Sequence, residues 1–211
     1  MYLYSRSARM RPGHPQETMA WALKGTEKIN QISEVPVNLW TPFASPAVGS
    51  LTWVARVEDL AVLEATNAKL MADAGFLAIL EEGASFFADS DIDDSLWQVL
   101  HADPDMANSQ PQYVNLVTAV LAPGHFGRGV ELGIEIAQRA QQITGRPASF
   151  SLAETGVYGA VRWAGLADSI EQVQAARQAL NTDQEFAQLL DGEVSEVYLP
   201  DATQAIFRRL A

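Results

Sequence analysis

The chain has 211 residues, is 48% hydrophobic, carries a formal net charge of −12 and contains no cysteine. That length and composition describe a globular protein with room for one large or two small cores. The acidic balance lacks the cationic footprint that nucleic acid or an anionic membrane would need, and the missing cysteines exclude disulfides, thiolate metal sites and cysteine nucleophiles. No apolar run reaches signal-peptide or membrane-span length, so a cytoplasmic protein is expected.

In chain order, a β-rich segment (2–10) is broken by Pro12-Gly13-His14, and a helix follows whose apolar positions Met19, Leu23, Ile29 and Ile32 recur at helical spacing. Short strands are expected at 37–40 and 51–57, then a second helix capped by Asp59 and a closing strand at 95–101. The acidic stretch 88–94 fails the calcium-loop pattern, with Asp94 where glycine is needed, and reads as a solvated loop. An acidic linker spans 102–111.

The same order then repeats. A β-rich segment (112–121) ends at Pro123-Gly124-His125 and leads into a helix with Val130, Ile134, Ala140 and Ile143 in the same register, at an offset of 111. Strands at 148–152 and 157–163, a helix opening near Asp168-Ser169 and a strand at 204–210 complete it. The turns before the third strands contain Gly49 and Gly156, and an offset of 106 between those strands matches Arg56 with Arg162. Each half is therefore β-α-β-β-α-β, the ferredoxin-like plan. The expected fold is α+β: two tandem repeats, residues 1–101 and 112–211, joined by 102–111 and packed sheet to sheet as an intrachain barrel.

On "VLAPGH", "AVRWAGLADSIEQVQAARQAL" and "NTDQEFAQLL", the chain resembles the dimeric α/β-barrel superfamily, including stress-responsive A/B-barrel and NIPSNAP-like proteins, here as a fused pair. The resemblance implies a small organic ligand bound or transformed in a lumenal or barrel-mouth pocket, in the manner of cofactor-free monooxygenases or cyclases. The alternative is a non-catalytic structural or interaction protein with a packed barrel. Relatives often place a histidine on the first strand, where this chain has Tyr4 and Asn115. Haem-degrading relatives pair an asparagine with Trp and His in the second helical region, which 168–190 lacks, so no cofactor is expected, and no metal. Tyr4, Arg6, Trp53 and Asn115 are the expected lining, with His14 and His125 at the rim. Arg6, if buried, needs a counter-charge or acceptor. Pro-Gly-His itself reads first as a joint, its glycine supplying the turn. The expected partner is a small molecule, with no nucleic acid or membrane, in a monomer or a homodimer of the fused pair.

Overall fold

The computed structural model describes every residue except Asn108, and every side chain except those of residues 88–91, 107 and 108. The order is β1 (Tyr2–Met10), α1 (Pro15–Ile32), β2 (Val37–Ala44), β3 (Ser50–Val57), α2 (Leu60–Ala72), α3 (Ala74–Gly83), β4 (Phe87–Ala102), β5 (Tyr113–Val120), α4 (Phe126–Thr144), β6 (Ala148–Ala153), β7 (Ala160–Ala167), α5 (Ile170–Thr182), α6 (Gln184–Asp191), α7 (Val194–Val197) and β8 (Thr203–Arg209). The fold is α+β, and the strands form a closed antiparallel barrel in the order β1-β3-β2-β8-β5-β7-β6-β4. The β-α-β-β-α-β plan occurs twice, with the second helix of each half split in two. Asp73 and Asp183 make the splits: each accepts the N–H three residues on, at Phe76 (2.8 Å) and Phe186 (2.7 Å), so the old helix ends where the new one is capped. Among the described residues, no helix is long and apolar enough to cross a membrane.

The chain divides into two compact units, 1–42 with 46–96 and 209–211, and 43–45 with 97–208. The division falls at Leu96–Trp97, inside β4, because Trp97–Ala102 pair with β6. The segment expected as a solvated loop, 88–94, belongs to β4: strand pairing overrides its polar composition, although the side chains of 88–91 lie outside the described residues.

In the first unit, α1 lies on the sheet through Ala22, Leu39 and Leu51, and Trp53 donates its indole N–H to Thr26 Oγ1 at 2.9 Å. In the second, Leu132, Phe150 and Val161 are fully enclosed, and Trp163 donates to the Gly133 carbonyl at 2.8 Å. Gly133 is a close-approach glycine: a Cβ there would lie 2.2 Å from Phe150 Cζ. The strand registers, Arg6 opposite Trp53 and Val117 opposite Trp163, make the two tryptophans equivalent, an offset of 110, and both indoles donate to the first helix of their half. That corrects the sequence alignment of the third strands. The matching turn glycines are Gly49 (φ 80°) and Gly159 (φ 75°), whose carbonyls accept from Met10 and Leu121 respectively. Residues 157–159 form the turn rather than the strand, which is why Val157 and Tyr158 are exposed. Arg162 therefore corresponds to Thr52, and Arg56 to Leu166.

Candidate active site

Cross-strand partners in an antiparallel sheet share a face. Trp53 and Trp163 reach α1 and α4, so their partners Arg6 and Val117, and the residues two steps away along the first strands, lie on the helix-facing side. Tyr4, Arg6, Trp53 and Asn115 all fall there. The expectation that Tyr4, Arg6 and Asn115 point away from the helices is corrected. It is the apolar set of β5 (Val114, Leu116, Val120) that is turned away from the helices. Arg6 is exposed rather than buried, so no counter-charge is demanded of it, yet it has one: Nε and Nη2 donate to the two Asp94 oxygens, both at 2.7 Å. This pair keeps the Asp94 carboxyl below its ordinary range, while burial pushes the nearby Tyr4 phenol up to about 12.

The histidines do not join this group. His14 and His125 precede the first turns of α1 and α4, beyond the C-terminal ends of β1 and β5, whereas Tyr4 and Asn115 lie near the other ends of those strands. His14 Nδ1 is 2.9 Å from Glu17 Oε2 on the exposed surface. Gly13 (φ 112°) and Gly124 (φ 85°) occupy the left-handed region, so the chain reverses at each of them.

The two units diverge on one cross-strand row. In the first, Tyr4 pairs with Ala55 and Ala55 with Val37, and the three pack with Val35, Val57 and Leu63 in one apolar cluster. In the second, the equivalent row is Asn115, Gly165 and Ala148. Each of the three is smaller than its counterpart. A Cβ built on Gly165 would meet no heavy atom within 4 Å. Asn115 Oδ1 is buried and has no hydrogen-bond partner, a condition that native interiors seldom tolerate without a reason. A glycine in mid-strand commonly marks a point of close approach by a ligand or backbone.

The row continues on both sides. Past Ala148 comes Asp103, whose N–H donates to the Ala148 carbonyl at 3.1 Å and whose carboxylate accepts from Gln141 of α4. Here a cleft of about 720 Å³ is lined by His101, Asp103, Gln138, Gln141, Arg146 and Pro147, and His101 Nε2 is a second buried atom with no partner. Past Asn115 comes Ile206, which with Val173, Gln174 and Arg177 lines a cleft of about 480 Å³ beneath α5. Gly165, Ala148 and His101 escaped the sequence reading. Aligning Trp53 with Trp163 would have exposed Gly165 in the place of Ala55; His101 sits in an apolar strand and carries no local signal.

No protein-family model matches the chain, and no curated protein matches it in sequence. Solved structures do match in fold. A candidate monooxygenase from Fusobacterium nucleatum superposes with a TM-score of 0.71 at 7% identity over 100% of this chain and 92% of that one. A candidate monooxygenase from Lactobacillus acidophilus gives 0.66 at 8%, covering 99% and 93%, and an anthrone oxidase-like protein gives 0.63 at 13%, covering 100% and 91%. The resemblance to the dimeric α/β-barrel superfamily thus holds as a likeness of fold.

Proposed function

We propose that the second unit binds a small, flat, hydroxyl-bearing organic molecule between its sheet and its helices, over the row Asn115–Gly165–Ala148. The observation that carries this reading is the paired loss of volume and gain of an unpartnered acceptor at Asn115 and Gly165, relative to the packed Tyr4 and Ala55 of the first unit. A carboxamide oxygen accepts hydrogen bonds, so it selects a ligand group that donates, such as a phenol or enol. Gly165 and Ala148 leave a flat floor against which a ring can lie, while Ile206 and Val173 supply apolar walls. The first unit, with its row filled, takes the structural role.

The finer reading is oxygenation of an electron-rich hydroxyaromatic by dioxygen without a cofactor, the class suggested by the fold neighbours. In that reading Asn115 orients the substrate hydroxyl and the helices exclude water. Calorimetric titration with hydroxyaromatics such as naphthols and anthrones tests the binding claim. Asn115→Leu keeps the size and removes the acceptor, and the affinity should fall roughly tenfold, the equivalent of one buried hydrogen bond. Absence of binding across the set, or equal binding by the variant, would overturn the proposal. Oxygen uptake on mixing with the bound compounds separates catalysis from binding alone.

A further inference from the structure

The units diverge a second time, on the sheet face turned away from the helices. In the first, Ser7 and Thr52 are opposite each other across β1 and β3, and their hydroxyls hydrogen-bond at 2.9 Å. The polar pair satisfies itself. The equivalent pair in the second unit is Thr118 and Arg162, so a hydroxyl has been exchanged for a guanidinium.

Arg162 is poorly accommodated as an isolated cation. Its Cζ stands 3.8 Å above the centre of the Trp97 ring, and its Nε is buried without an acceptor. Burial draws the guanidinium down to about 10. Among the described residues no carboxylate is paired with it, in a chain with 26 acidic side chains against 14 basic ones. A cation–π contact offsets only part of what it costs to withdraw an ion from water without a counter-charge. Stacking alone therefore does not account for the residue. Around it on the same face stand hydroxyls: Thr118 and Ser151 are its neighbours on the two flanking strands, and Ser149 and Ser151 are both buried.

We propose that Arg162 is the receptor for the carboxylate of a small organic acid, held by the Nε edge of the guanidinium over the Trp97 ring. That edge presents two parallel N–H donors, the spacing a carboxylate accepts in bidentate form. One desolvated positive charge balances one negative charge, which favours a monoanion over a dianionic phosphate that would bury net charge. The site is built on the second unit alone and lies on the opposite sheet face from Asn115, so it stands or falls separately from the hydroxyl-binding reading.

The test uses the full chain and acetate, with chloride and phosphate as comparison arms at constant ionic strength. In a ¹⁵N-edited spectrum the Arg162 Nε–H resonance should move saturably with acetate, and the melting temperature should rise with it. Chloride and phosphate should do markedly less. Arg162→Gln should abolish the acetate response while folding at least as well in acetate-free buffer, since no unpaired charge remains. Arg162→Lys, which keeps the charge but loses the fork, should weaken acetate binding roughly tenfold. An Nε–H resonance indifferent to acetate in the wild type overturns the proposal even if a variant fails to fold. Equal acetate responses in wild type and Arg162→Gln overturn it as well, and a phosphate response stronger than that of acetate overturns the choice of a monoanion.

Discussion

At the residue scale, the described side chains include polar groups with defined partners and a few buried polar atoms with none. Arg6 and Asp94 belong to the first group. Their fork geometry is good, but the side chains are 50% and 45% exposed, so solvent screening keeps the pair below about 1 kcal/mol. Because the folded carboxyl of Asp94 is depressed, its contribution is present above the ordinary aspartate range and is lost as pH falls through the folded value. Urea midpoints should therefore show a small acid-side loss in the wild type that is absent in Asp94→Asn. An unchanged acid profile in that variant would mean the pair contributes nothing. His101 Nε2, Asn115 Oδ1 and Arg162 Nε form the second group, and all three lie in the second unit.

At the element scale, glycines show where the backbone approaches a side chain and where it leaves room. Gly133 in α4 abuts the Phe150 ring, so Gly133→Ala should cost about 1–3 kcal/mol through overpacking, although alanine is the better helix former. Gly165 in β7 has no such neighbour and no positive φ, so Gly165→Ala should be neutral or stabilise by up to about 1 kcal/mol. Gly13→Val and Gly124→Val force a branched side chain into the left-handed region and should each lose more than about 1 kcal/mol. Denaturant melts of the four variants check all of this, and a Gly133→Ala protein as stable as wild type would contradict the packing described. Helix starts at Asp59 and Ser169 and the joints at Gly13 and Gly124 were legible in the sequence because each is local chemistry: a capping oxygen, or a residue free to take positive φ. The face of β1 and β5 was not legible, because the strands alternate polar and apolar on both sides and only the tertiary contact of Trp53 and Trp163 decides it. The long β4 was obscured for a related reason, its acidic start being held by strand pairing rather than by its own propensity.

At the scale of the whole molecule, duplication explains why the fold could be read from one sequence while its use could not. The helix stripes and the Pro-Gly joints persist in both halves because packing requires them in both. The differences that point to function are two cross-strand pairs, Tyr4–Ala55 against Asn115–Gly165 and Ser7–Thr52 against Thr118–Arg162, and they emerge only once the third strands are set in register by structure. If the first row is the ligand hollow, refilling it should convert the second unit to the packed state of the first. The decisive measurement is the dissociation constant of a bound hydroxyaromatic for Gly165→Val, taken together with the variant's melting temperature. Binding should be lost while the melting temperature holds or rises, since the valine side chain enters open space and a strand glycine is removed. Unchanged affinity in a stably folded Gly165→Val protein would contradict it.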